Sequence, residues 1–89
     1  KKFLYLTRDM AITLGKYNIT VNAICPGYIE TPIQDYNTPD SIKEFLSTLP
    51  IQRLGKPKDI AHTAKFFASK DSEWITGSYL VVDGGGLAS

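Results

Sequence analysis

The chain has 89 residues, with 10 Lys plus Arg against 9 Asp plus Glu and a formal net charge of +1. These charges are dispersed and form no basic stripe, which argues against a nucleic-acid partner. A lone cysteine, Cys25, excludes an internal disulfide framework, and no apolar run approaches the roughly 18 residues a membrane span needs, so a soluble cytoplasmic protein is expected.

Phe3, Leu6, Met10, Ala11 and Leu14 recur at spacings of three and four, which predicts a helix over residues 3–14. Gly15 is the expected stop, with Lys16 placed where a cation favours a helix end. Leu4 and Tyr5 widen the apolar stripe and suit either a second core contact or a subunit interface. Because the chain enters this helix without a lead-in or an initiator methionine, residues 1–89 are read as the C-terminal part of one longer domain.

Residues 19–25 read as a strand with Ile19, Val21, Ala23 and Cys25 on one face and Thr20, Asn22 and Ile24 on the other, a nearly two-sided apolar pattern that suits an interior position. Pro26 has no N–H for a ladder and ends it, and Gly27 permits a sharp turn. Thr38-Pro39-Asp40-Ser41 supplies a cap, a proline in the first turn and an acid, followed by a short helix carrying Ile42, Phe45 and Leu46 and ending before Pro50. A second helix start at Lys56-Pro57-Lys58-Asp59 leads to Ile60, Ala61, Ala64, Phe67 and Ala68, and the polar run 69–73 closes it. Tyr79-Leu80-Val81-Val82 is a short strand broken at once by Asp83-Gly84-Gly85-Gly86. The alternation predicts α/β architecture with two parallel strands, whose outer edges would need neighbours from elsewhere.

Ligands of open α/β sheets bind beyond the carboxyl ends of parallel strands, and residues 26–31 lie at such an end. The Pro26-Gly27 turn offers main-chain groups to an uncharged polar ligand, and Thr31 adds a hydroxyl; alternatively, Thr31 caps the turn that follows it. His62 has no second histidine or carboxylate pair at metal spacing and is expected at the surface or an interface, and Cys25, which lacks a histidine partner, is expected to be a small buried hydrophobe. Gly84–Gly86 do not fit a phosphate loop, because no helix follows them; Asp83 either accepts their N–H groups or reaches a neighbouring subunit. Tyr36, Phe45, Leu46 and Leu49 suit either a substrate lid over residues 33–50 or an ordinary surface helix.

Taken in order, VNAICPGYIET, RLGKPKDIA, FFAS, ITG and VVDGG resemble the C-terminal part of the short-chain dehydrogenase/reductase family, NAD(P)-dependent oxidoreductases with a Rossmann fold. The resemblance covers nearly the whole chain. It implies the C-terminal portion of a Rossmann-type parallel sheet with helices on both faces, an NAD or NADP cofactor, a small alcohol or carbonyl substrate, and a homo-oligomer, with a tetramer favoured. It also implies that Pro26 and Gly27 shape the approach of the nicotinamide, while the Ile29 amide and the Thr31 hydroxyl meet its carboxamide. The family's glycine-rich loop, catalytic serine and Tyr-x-x-x-Lys pair fall before residue 1, so these 89 residues alone are expected to be inactive. Thr20 departs from the arginine common in relatives. A non-catalytic cofactor-binding or assembly scaffold is the alternative reading.

Overall fold

The computed structural model describes residues 2–30 and 39–89. Helix α1 spans Lys2–Leu14 and passes into a 3-10 turn at Gly15–Tyr17. The left-handed residue that closes this turn is Asn18, with φ 61° and ψ 31°, and its N–H donates to Gly15 O at 2.9 Å. The α-helix ends at Leu14, directly before the expected stop at Gly15, but the left-handed position expected of Gly15 falls to Asn18 three residues later. Asparagine is among the few residues that visit this region readily, because its short side chain can bond locally.

Strand β1, Ala23–Pro26, pairs in parallel with β2, Tyr79–Val82, and Ala23 lies opposite Tyr79. Pro26 is the last residue of the ladder rather than the first beyond it. The bond at that end is donated by Gly27 N to Val82 O at 3.0 Å, so the proline's missing N–H leaves no gap.

Residues 19–22, expected in the strand, stay outside the ladder. Ile19 N donates back to Leu14 O at 3.4 Å, and Val21 and Asn22 find partners in the loop before β2, where Gly77 has φ +75° and cannot continue a strand. Gly77 N donates to Val21 O at 2.8 Å, and Val21 N to Thr76 Oγ1 at 3.0 Å. The Asn22 amide completes the latch, donating to Ile75 O at 3.0 Å and accepting from Ser78 N at 3.1 Å. A side chain here does the work of a strand.

Helix α2 is Pro39–Leu46, and α3 is Pro57–Phe67, which packs against β1. Asp59, in the first turn of α3, accepts from Lys56 N at 2.7 Å, as the Lys56-Pro57-Lys58-Asp59 signal predicts. The polar run after α3 forms a second 3-10 turn, Lys70–Ser72, where the buried Ser72 hydroxyl donates to Phe67 O at 2.9 Å. The result is an α/β arrangement with a parallel sheet flanked by helices, as the sequence implies.

Little of the predicted apolar surface is covered. Among the described residues only Ala11 and Ala23 form a buried hydrophobic core, while Phe3, Leu6 and Met10 on α1 and Tyr79 and Leu80 on β2 remain exposed. The radius of gyration is 15.9 Å, against about 12 Å for a compact domain of this length. The two strands set the geometry of one edge, but their faces need more protein to bury them.

Candidate functional site

Both strands end on the same side, and both turn there. Gly27 follows β1 and Asp83 follows β2, so closely packed that a Cβ added to Gly27 would lie 2.7 Å from Asp83 Cβ and 2.9 Å from its Cα. Glycine is required at this contact because the opposing atoms include backbone. Asp83 also organises the tail: its carboxylate accepts from Gly85 N at 2.9 Å and Leu87 N at 2.8 Å. Of the two uses open to Asp83 in the sequence, acceptance of the tail's N–H groups is the one observed.

Beyond these turns lies a hollow of about 1070 Å³. Tyr28 and Ile29 line one side, Phe45 and Leu49 another, and Leu87 to Ser89 of the tail a third. The Tyr28 and Phe45 rings meet edge to face with centroids 4.9 Å apart, a favoured aromatic geometry. The described part of the expected lid therefore contributes Phe45 and Leu49 to the wall. Tyr36, the Thr38 cap and most of the segment before α2 lie outside the described residues.

The hollow is mostly apolar, with one paired charge. Arg53 Nη1 lies 3.0 Å from Asp59 Oδ2, and both side chains border the space. The hydrogen bond from Arg53, reinforced by the Lys56 N–H, pulls the Asp59 carboxyl down to about 2, while the same bond raises the Arg53 guanidinium.

Of the sequence-predicted site residues, Pro26, Gly27 and Ile29 fall together at the carboxyl end of β1. Pro26 closes the ladder without lining the hollow. Thr31 lies outside the described residues. Ile29 forms an isolated parallel bridge with Gly55 through two backbone bonds, Gly55 N to Tyr28 O at 3.0 Å and Glu30 N to Gly55 O at 2.7 Å. Sequence reasoning missed this bridge and the Arg53–Asp59 pair. Asp59 carried a signal as a helix-start acid, whereas nothing local to Gly55 announces a partner so distant along the chain. Cys25 is half-buried in β1, and His62 is exposed on α3 away from the hollow. Among the described residues no group of His, Cys, Asp and Glu is arranged to hold a metal, and no helix is long and apolar enough to cross a membrane.

Comparison with known proteins supplies the family. The model described as Enoyl-(Acyl carrier protein) reductase matches residues 2–86. The chain is 44% identical over 84 residues to 7alpha-hydroxysteroid dehydrogenase of Escherichia coli, covering 93% of this chain and 33% of that protein. Among solved structures, 4-hydroxyisoleucine dehydrogenase complexed with NADH superposes with a TM-score of 0.90 at 33% identity, covering 99% of this chain and 37% of that one. A short chain dehydrogenase family protein from Francisella tularensis gives a TM-score of 0.89 at 30% identity, covering 99% of this chain and 41% of that one. The chain spans about a third of the length of the curated relatives it matches. With its parallel strand pair, the Pro-Gly turn at their carboxyl ends and a family match over nearly its full length, the chain belongs to the short-chain dehydrogenase/reductase family.

Proposed function

We propose that the full-length parent of this chain catalyses reversible hydride transfer between NAD(H) or NADP(H) and a small alcohol or carbonyl compound. In this reading residues 1–89 are the C-terminal part of one Rossmann domain. The observation that carries it is the Pro26-Gly27 turn opening on the apolar hollow at the strand ends, within a chain of this family. The nicotinamide supplies or accepts hydride when bound. The chain's own residues orient it: the Ile29 amide and the Thr31 hydroxyl meet the carboxamide, and Gly27 lets the turn after β1 pack directly on Asp83, which fixes the backbone edge that the ring approaches. The residues fit that group, because the hollow has ample room, Gly27 and Gly84 border it without side chains, and its walls are mostly apolar. NADH in the matched 4-hydroxyisoleucine dehydrogenase structure gives a family precedent for the cofactor.

The substrate is a neutral or weakly polar alcohol/carbonyl pair. Tyr28, Phe45, Leu49 and Leu87 provide apolar contact area, and the one arginine at the hollow is engaged by Asp59. A free cation cluster, which a multiply charged substrate would demand, is absent among the described residues of the wall. The matched 7alpha-hydroxysteroid dehydrogenase is named for a hydroxysteroid, in keeping with this wall. The parent is a cytoplasmic homotetramer; the exposed Tyr5, Phe66 and Leu87 support assembly through α1, α3 and the β2 tail. The experiment is to assay the purified parent with both dinucleotides against steroid, sugar and aliphatic alcohols and their ketones. Turnover of a neutral pair with one dinucleotide is expected; absence of any dinucleotide oxidation or reduction would favour the scaffold alternative.

A further inference from the structure

Residues 50–59 contribute Ile51, Arg53, Gly55 and Asp59 to the lining of the hollow and are fastened on both sides of it. On the β2 side, Ile51 N donates to Gly84 O at 3.0 Å. On the β1 side, Gly55 exchanges two backbone bonds with Tyr28 and Glu30, at 3.0 and 2.7 Å. The segment thus ties together the two turns that frame the site.

What fixes the segment itself is Asp59. Its Oδ2 accepts from Lys56 N at 2.7 Å, immediately after Gly55, and from Arg53 Nη1 at 3.0 Å, two residues before it. The same Arg53 Nη1 donates to Leu54 O at 3.0 Å. One carboxylate oxygen therefore holds the chain on both sides of Gly55, and Asp59 is in turn seated on the first turn of α3, where the exposed N–H groups favour a negative charge. Gly55 also packs on the Ile29 side chain, where an added Cβ would stand 2.7 Å from Cδ1. The backbone of residues 28–30 is tied to the brace by the two Gly55 bonds.

We propose that Asp59, with Arg53 as its partner, is a positioning residue: through Gly55 it sets the height of the Tyr28–Glu30 backbone at the strand ends, and so the fit of the nicotinamide. This rests on the reading that residues 29–31 meet that ring. Asp59 borders the hollow, and its positioning role acts through Gly55. Its effect travels along two short backbone bonds, and a loosened Gly55 would let the binding edge move while the strand ladder at Ala23–Pro26 stays intact.

The test uses the full-length parent. Amide hydrogen exchange at Glu30 and Gly55, the affinity for reduced dinucleotide without substrate, and the thermal midpoint are compared between wild type and Asp59→Ala, Asp59→Glu, Arg53→Lys and Asn22→Ala. In Asp59→Ala, exchange at Glu30 and Gly55 is expected to accelerate and dinucleotide binding to weaken by about five- to tenfold, the low end of couplings between interacting sites. Asp59→Glu and Arg53→Lys should recover part of both effects. Asn22→Ala, which cuts the latch at the opposite end of β1, should lower the thermal midpoint yet leave dinucleotide affinity unchanged. If wild type binds a dinucleotide and Asp59→Ala binds it equally well, the positioning role is overturned and the functional reading stands. Equal loss of affinity in Asn22→Ala would make the effect one of general stability and overturn it too. If wild type binds neither dinucleotide, the functional reading falls and the positioning role falls with it.

Discussion

Gly27→Ala in the parent tests the packing of the two strand-end turns. The new methyl carbon would stand 2.7 Å from Asp83 Cβ and 2.9 Å from Asp83 Cα, whereas carbon atoms rest at about 3.5–4.0 Å. Relief therefore requires the turns to separate by about 1 Å, and overpacking of this kind costs about 1–3 kcal/mol. The separation acts directly on the bond from Gly27 N to Val82 O, now 3.0 Å. Asp83 cannot yield alone, because its carboxylate also holds Gly85 and Leu87. The assay is urea unfolding of wild type and variant, with dinucleotide affinity measured on the same preparations. The variant should lose about 1–3 kcal/mol and bind the cofactor more weakly. Gly15→Ala is the control: nothing lies within 4 Å of its added Cβ, so stability should be unchanged or rise by up to about 1 kcal/mol. A Gly27→Ala protein as stable as Gly15→Ala, with unaltered affinity, would refute the proposed closeness of the turns.

Thr31→Val in the parent removes one hydrogen bond worth about 0.5–1.5 kcal/mol and should weaken dinucleotide binding several-fold at an unchanged melting temperature; a lower melting temperature with unchanged affinity would assign Thr31 to capping instead. The Asp59 carboxyl should titrate at about 2, below its ordinary 3.8, when followed by carbon NMR. Since its folded pKa is lowered, the stabilisation from the Arg53 pair is fully present above about pH 4 and is lost as pH falls through about 2. A midpoint at or above 4 would contradict the pair. The 89-residue chain expressed alone should aggregate or melt without cooperativity, given Phe3, Leu6, Tyr79 and Leu80 on its surface; a soluble monomer with a sharp thermal transition would contradict this.

Elements governed by local chemistry were legible. The spacing of Phe3, Leu6, Met10 and Leu14 marks α1, Pro57 and Asp59 mark the start of α3, and the run Tyr79–Val82 gives β2 at its observed limits. Misreadings arose where a distant partner replaces a local rule. Ile19–Asn22 carry strand-like alternation, yet the loop at Ile75–Ser78 meets Val21 and Asn22 through the Thr76 and Asn22 side chains, because Gly77 turns away. Gly15 was an obvious stop, but the chain tightens for one more turn and Asn18 takes the left-handed position. At the site, the Pro26-Gly27 turn announces itself through residues that cannot do otherwise. The Ile29–Gly55 bridge does not, since it depends on main-chain groups that every residue possesses. Only the fold brings residue 55 to residue 29, and only then does Asp59 acquire a role at the binding edge.

The central claim, that the backbone just past Gly27 receives a nicotinamide, is tested most directly by amide NMR of the isotope-labelled parent titrated in parallel with the dinucleotide it uses and with the same molecule lacking nicotinamide, ADP-ribose or its 2′-phosphate. Both ligands share the adenosine and pyrophosphate contacts, so their difference isolates the nicotinamide. The account predicts that the Ile29 and Thr31 amide signals move with the dinucleotide and stay in place with the truncated ligand. Identical shifts with both ligands, or no response at these two amides while the dinucleotide is bound, would contradict it.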